Sequence, residues 1–352
     1  MKYKAAIVGC GRMAGLVQLS LEEYPFLNLP YRHAPSYQAV PNVDLVAASD
    51  IDAARRDEFA QKWNVPTMYA DYREMIVAEK PDIVSVTTQA PVHAEATIFA
   101  AEHGVKGVYC EKPMACSLEQ ADAVVEACKR NGTQYNIGTS RRYSTGYEAM
   151  RQLGLSGEVG QPRVAVFHGC GRLLHSGSHY IDTLCYLLGD PEPDFVQGSW
   201  STPPDAMAGD RLDEDPGTPR LYIHFRNGTE AHVVPTPCLH EYELTCAKGT
   251  MRSMNNGMHW MLRKSVSAGA DRVADGVLWE PAPFPEFEKK SATVRCIEDL
   301  IESIETGQPS QGNVDIARKV MEISMALVES HRRGGARADV PVADRSFYIA
   351  SR

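Results

Sequence analysis

Near the middle of the chain, three polar side chains fall on one face of an amphipathic stretch. His175, His179 and Asp182 stand at i, i+4 and i+7 within Arg172-Leu-Leu-His-Ser-Gly-Ser-His-Tyr-Ile-Asp182, a spacing that stacks side chains along a helix. Apolar residues recur at helical intervals from Gly177, and Gly189 ends the run. Imidazole, with an ordinary pKa of about 6.5, can trade a proton near neutral pH. A helix N-terminus favours its neutral form. His-x-x-x-His can also hold zinc, but no third ligand is evident, so no metal is assigned. Hydrogen bonding inside a packed interface is the other use for such rings.

A second constellation opens the chain. The short apolar run 5–8 leads directly into Gly9-Cys10-Gly11-Arg12-Met13-Ala14. G-x-G-x-x-A between a strand and a helix is a dinucleotide fingerprint. Gly9 allows the tight turn, Gly11 lets a pyrophosphate approach bare backbone, and Ala14 lets helix and strand pack closely. The helix expected over 13–23 aims its free N–H groups at the phosphates. A second strand, 44–49, ends at Asp50, whose carboxylate suits ribose hydroxyls and repels a 2′-phosphate, which favours NAD over NADP. Asp52 is the rival carboxylate and reads as a helix cap. The glycine-to-acid gap exceeds the usual ~20 residues. Residues 24–41, rich in proline and aromatics, therefore read as an insertion: an ordered loop with a short helix, near the cleft, either capping a substrate or packing.

The elements that position these groups follow a strand–helix alternation. Helices are expected over 52–64, 71–79 and 91–103, and strands over 65–69, 82–88 and 105–110. A helix over 122–131 and a strand over 134–138 complete the series. Such alternation means a doubly wound parallel sheet, with its ligand crevice at the strands' C-terminal ends. After a helix over 141–153, alternating runs around an Asn227-Gly228 turn read as antiparallel strands. The acidic, proline-punctuated stretch 205–217 reads as an exposed loop. Long amphipathic helices are expected over 294–306 and 314–332. The fold class is thus α/β: an N-terminal Rossmann domain (1–137) and a C-terminal α+β domain (138–352) with a large, mostly antiparallel open sheet. The helix 314–332 is expected to pack back on the first domain, and the apolar tail 339–352 to reach a neighbouring subunit.

Composition sets outer bounds. The chain has 352 residues, 43% hydrophobic and 23% charged, with a net charge of −9, which suits two domains rather than one core. No long basic run favours nucleic acid or an anionic membrane. No apolar run approaches the ~18 residues of a membrane span. The first strand begins at once, leaving no room for a signal peptide. Nine scattered cysteines without a C-x-x-C pair read as reduced thiols in a cytoplasmic protein.

Glu111-Lys112-Pro113 follows the fifth strand, and with it the sequence resembles the Gfo/Idh/MocA oxidoreductases, the glucose–fructose oxidoreductase and inositol dehydrogenase group. The resemblance spans nearly the whole chain. It is carried by the glycine turn, Thr88 with Pro91 and His93, the Glu-Lys-Pro triplet, and Gly138 with Arg141-Arg142-Tyr143. Ser178-His179-Tyr-Ile-Asp182 and Leu327-Val-Glu-Ser-His-Arg-Arg-Gly-Gly335 with Val340-Pro341 follow. No single motif decides, but their order does. The resemblance implies that Lys112 sits beside the nicotinamide and the reacting carbon, and that His179 is the acid/base. It places Glu111, Thr88, His93, Arg12 and Met13 with Gly9, Gly11, Asp50 and Lys112 at the cofactor. His175, Arg142, Tyr143, Arg172 and Asp182 are the candidate substrate contacts, with a structural bond the other use for Asp182. His175 stands where the family commonly has an acid, a departure that leaves the proton route open.

A lysine beside oxidised nicotinamide feels a like charge that lowers its pKa, and it can then share the proton of a hydroxyl. Pro113 would stiffen its turn and Glu111 could anchor it. The implied activity is NAD-dependent oxidation of a ring hydroxyl in a sugar, cyclitol or related polyol, by a homodimer or homotetramer formed through the open sheet. Two alternatives use the same residues. One is glycoside cleavage by tightly bound NAD without net redox, and the other is a dinucleotide-bound sugar sensor.

Overall fold

The opening apolar run forms β1 (Tyr3–Val8). Its alternate residues bury on opposite faces, Ala6 and Val8 in one core, Ala5 and Ile7 in another, as a strand covered on both sides requires. Around it the computed structural model, which describes residues 2–351 apart from 18, 19, 21, 23, 202, 208, 266–271, 274 and 275, assembles a six-stranded parallel sheet. Its other strands are β2 (Val43–Ser49), β3 (Thr67–Tyr69), β4 (Ile83–Val86), β5 (Gly107–Cys110) and β6 (Gln134–Ile137). They lie in the order β3-β2-β1-β4-β5-β6, so the order reverses between β1 and β4, where a crevice opens at the strand ends.

After α1 (His33–Ala39), the helices of this half are α2 (Ala53–Trp63), α3 (Tyr72–Glu79), α4 (Ala90–Glu102) and α5 (Leu118–Asn131). Asp52, Asp71 and Ser117 cap α2, α3 and α5 by accepting from backbone N–H groups of their first turns, each cap contributing about 1 kcal/mol. Asp52 is therefore the cap read from the sequence.

The first helix departs from expectation. Residues 11–17 form turns, and of the helix expected over 13–23, residues 18, 19, 21 and 23 lie outside the described residues. Gly15 N donates to Gly11 O at 3.3 Å, so a first helical turn does form. The carbonyls one turn further on, Met13 and Ala14, accept from His33 N (3.1 Å) and Ala34 N (2.9 Å). These are the bonds that residues 17 and 18 of an unbroken helix would make. α1 thus continues the glycine turn, and residues 15–32 are looped out of one helix rather than added after it. That also accounts for the long gap to Asp50. Arg32 gives α1 no side-chain cap, because Met13 and Ala14 already accept from its first N–H groups.

A 3₁₀ turn at Ser140–Tyr143 and α6 (Thr145–Leu155) lead to β7 (Pro162–Gly169), α7 (Gly177–Leu187) and β8 (Pro193–Ser199). A nine-stranded sheet follows, in the order Trp279–Ala282, His259–Ser265, Gly249–Met254, Glu241–Cys246, β7, Glu230–Pro235, Arg220–Phe225, β8 and Ala338–Asp339. All its pairs are antiparallel except Glu230–Pro235 with β7. The Asn227-Gly228 hairpin stands as expected. α7 packs on one face, the Tyr180 ring stacked 4.7 Å from Phe167.

Two late helices return to the first sheet. α8 (Ala292–Thr306) buries Cys296, Ile297 and Leu300 in the core of Ala5, Ile7 and Tyr109. A Cβ at Gly107 would sit 2.8 Å from Ile304 of this helix. α9 (Val314–Arg332) is tied to α5 by Lys129–Asp315 (2.7 Å) and Arg318–Asp122 (3.1 Å). The tail does not leave the chain: Val342, Phe347 and Ile349 are buried against it, and Ile349 N donates to Cys116 O. Its apolar residues serve this core rather than a neighbouring subunit. Among the described residues no helix is long and apolar enough to cross a membrane.

Candidate active site

A cleft of about 1250 Å³ runs along the C-terminal ends of the first sheet and under the N-terminus of α7. At its β1 end lies the glycine turn. Gly9 takes φ +91°, and a Cβ there would meet Thr88 at 2.9 Å, whereas a Cβ on Gly11 would meet nothing within 4 Å. Bare backbone is thus tightly packed behind and open in front, which suits a pyrophosphate. Arg12 and Met13 line the same wall. Asp50 closes β2, its Oδ2 accepting from Cys10 N (2.8 Å) and its Oδ1 from Asp52 N (2.9 Å). Two bonds fix the carboxylate at the cleft wall and leave lone pairs for hydroxyl donors. The residues present fit a dinucleotide.

Lys112 occupies the turn after β5, and two buried imidazoles hold that turn. His33 Nε2 is 3.1 Å from Glu111 Oε1, its Nδ1 is 2.8 Å from Ser85 Oγ, and Tyr37 Oη is 2.7 Å from the same oxygen. Tyr37, Ser85, His33 and Glu111 thus form one hydrogen-bonded row, which gives each of these buried side chains a partner. Burial would raise the Glu111 carboxyl, but the His33 bond and the charges of His33 and Lys112 outweigh it and hold it below its ordinary value. On the other side, His93 Nδ1 lies 2.7 Å from Pro113 O, and its Nε2 3.1 Å from Thr88 O. Both its nitrogens face carbonyls, so His93 offers the cofactor no free polar group; it fixes the turn instead. Thr88 stands at the wall beside it.

Facing Lys112 is the histidine pair. His175 precedes α7 in a turn, and Lys112 Nζ lies 3.4 Å from each of its ring nitrogens. Burial first, and this ammonium second, push His175 down to about 4. An ammonium at that distance also opposes a zinc ion on the ring. His179 also lines the cleft; burial, then Lys112 and Arg141, hold it well below the usual imidazole range. Its Nδ1 is buried and has no partner among the described residues. Burial lowers Lys112 as well, against the opposing pull of Glu111 and Asp215. The arrangement is an amine and neutral imidazoles around one point of a cleft that fits a nucleotide.

Four expected substrate contacts lie elsewhere. Arg142 and Asp182 are fully buried and paired at 2.7 Å, with Asp190 completing a forked bridge at 2.9 Å. Tyr143 is buried too, donating to Asp299 (2.9 Å) and accepting from Gly312 N (2.9 Å). Arg172 is exposed and off the cleft wall. The correction at Arg141-Arg142 is one residue wide. In a 3₁₀ turn neighbours point about 120° apart, so Arg141 faces the cleft while Arg142 faces the core. Arg141 donates to His240 Nδ1 (2.8 Å) and to Asn256 Oδ1 (3.0 Å). His240 Nε2 is 3.2 Å from Cys170 O, so the ring is the Nε2–H form, pushed down to about 4 by burial and Arg141.

Asp215 was not visible in the sequence as a site residue. It lies in the stretch expected to be an exposed loop, yet it is buried. Its carboxylate accepts from Leu174 N (2.8 Å), His175 N (2.8 Å) and Ser351 Oγ (3.0 Å). It therefore fixes the backbone that carries His175. Nothing in a run of four acids within 210–215 singles it out.

Comparison with known proteins adds a lineage. Residues 3–139 match the family described as "Oxidoreductase family, NAD-binding Rossmann fold". Inositol 2-dehydrogenase 3 of Saccharopolyspora erythraea is 34% identical over 165 residues, 44% of this chain and 48% of that one. D-glucoside 3-dehydrogenase of Escherichia coli is 28% identical over 207 residues, 53% of this chain and 54% of that one. The chain thus spans about half the length of the curated relatives it matches. Aldose-aldose oxidoreductase from Caulobacter crescentus, solved with glycerol, has the same fold, with a TM-score of 0.76 at 21% identity over 97% of this chain and 100% of that one.

Proposed function

The chain belongs, through residues 3–139, to the Gfo/Idh/MocA oxidoreductases, and on that premise we propose that it oxidises a ring hydroxyl of a sugar, cyclitol or related polyol with NAD. The cofactor, when bound, supplies the hydride acceptor. The protein positions the hydroxyl and moves its proton. His179, held neutral at the cleft wall, takes the proton as the C–H hydride departs. Lys112 Nζ donates to the hydroxyl oxygen and stabilises the charge that develops there. His175, in place of an acid, leaves Lys112 beside a neutral ring, so Glu111 and Asp215 are the carboxylates that oppose its lowered pKa. Asp50 at the cleft wall supports NAD over NADP, because a second anion beside it would be repelled.

The observation that carries this reading is Lys112 Nζ at 3.4 Å from the His175 ring, with His179 lining the same cleft as the glycine turn and Asp50. The test is a panel of free sugars, inositols and methyl glycosides incubated with NAD and followed at the reduced-nicotinamide band. At least one member should give NADH in proportion to substrate consumed. Silence across the panel would end the reading.

A further inference from the structure

We propose that the segment looped out of the first helix builds a second subsite next to the reacting one, for an apolar or ring-bearing substituent on the substrate sugar. The substrate class is then a glycoside with a ring-bearing aglycone rather than a free monosaccharide or inositol. This rests on the oxidoreductase reading and adds to it. Both ends of the segment leave from one helical turn beside the nucleotide's glycine bend. Tyr24, Phe26, Leu27 and Tyr31 of the segment line the cleft, and Tyr147 and Leu239, which follow the first sheet in the chain, line it too.

The end of the segment lies near the reacting group: His33, two residues after Tyr31, has its Nε2 3.1 Å from Oε1 of Glu111, the neighbour of Lys112. The segment is also anchored. Thr293 Oγ1 donates to Tyr31 O at 2.9 Å, and Ser291 Oγ donates to Pro30 O, both from the start of α8. Tyr24 and Phe26 meet edge to face, with centroids 6.0 Å apart, and both stay half-exposed. Large half-exposed rings fixed around a cavity are a surface awaiting an apolar partner. The cavity, at about 1250 Å³, is larger than the roughly 300–1,000 Å³ of an ordinary ligand site, as a cleft shared by a dinucleotide, a reacting ring and its substituent must be. Arg141, His240 and Asn256 meanwhile supply the polar contacts that the reacting ring needs.

The experiment uses the full chain with saturating NAD and three matched series, glucose, galactose and xylose. Each series is tested as free sugar, methyl β-glycoside and phenyl β-glycoside, and NADH and phenol are both measured. In at least one series kcat/KM should rise about tenfold or more from methyl to phenyl, with NADH as the product. In the double variant Tyr24→Ala/Phe26→Ala that ratio should fall to within about threefold, and Phe26→Leu should restore part of it. Unchanged NAD affinity and melting temperature would show that the variants are folded. Equal rates on methyl and phenyl glycosides, or a ratio untouched by the double variant, would overturn the subsite while leaving oxidation standing. No NADH from any compound here or in the wider panel would overturn both.

Discussion

Lys112 is the residue on which the proposed chemistry turns. Lys112→Met should lower kcat by about 10²–10⁴-fold, the usual worth of a positioned acid/base, while a fluorescence titration shows NAD still bound. Asp50 tests cofactor choice: Asp50→Ser should narrow the ratio of kcat/KM for NAD over NADP at least tenfold, since the ribose contact and the repulsion go together. The histidines make a statement about pH. His175 and His240 are pushed down to about 4 in the fold and return to about 6.5 when unfolded. Between those values the unfolded chain binds more protons, so their contribution to stability rises with pH from about 4 to 6.5 and is complete above it. The groups facing them are Lys112, Glu111, Arg12 and Arg172 for His175, and Arg141 for His240. His240→Asn should therefore flatten the dependence of unfolding free energy on pH across that window, as read from urea titrations at several pH values.

At the scale of elements, the turn carrying Lys112 is set by what grips it. His33→Ala should leave Glu111 without its donor and cost about 10- to 100-fold in kcat, the order expected when a reacting group shifts by an ångström. The change should fall on kcat more than on KM, and His33→Gln, which keeps a donor, should recover part of it. The strand ends, Gly9, Asp50, Thr88 and Lys112, were legible because a parallel sheet dictates where its ligands go. His33 was not. It lies in a stretch read as an insertion, and only the two bonds to Met13 and Ala14 reveal it as part of the first helix. Arg141 was hidden because neighbours in either kind of helical turn point about 100–120° apart, and nothing in Arg141-Arg142 itself says which of the two faces the cleft.

At the scale of the whole molecule, the buried bridge of Arg142 with Asp182 and Asp190 ties the turn after the first sheet to α7. Arg142→Met leaves Asp182 charged and alone, and should destabilise the fold by about 3–5 kcal/mol. Urea unfolding would show it as a lower midpoint; a raised KM at unchanged stability would instead restore Arg142 to the substrate. The tail acts over a similar distance. Ser351 bonds the carboxylate that holds His175, so Ser351→Ala should lower kcat severalfold with little change in melting temperature. Such pairings escape a linear reading because hydrogen bonds between residues far apart in sequence leave no periodic trace. Asp215 looks like any other acid in its loop until Ser351 arrives beside it.

The break in the first helix has an engineering corollary. Since His33 stacks where residue 17 would, residues 15–32 amount to a cassette whose two ends already meet in register. Swapping it for a two-residue joint should leave an unbroken rod, and, if the proposed subsite holds, grafting it into a homologue should carry the preference for ring-bearing aglycones along.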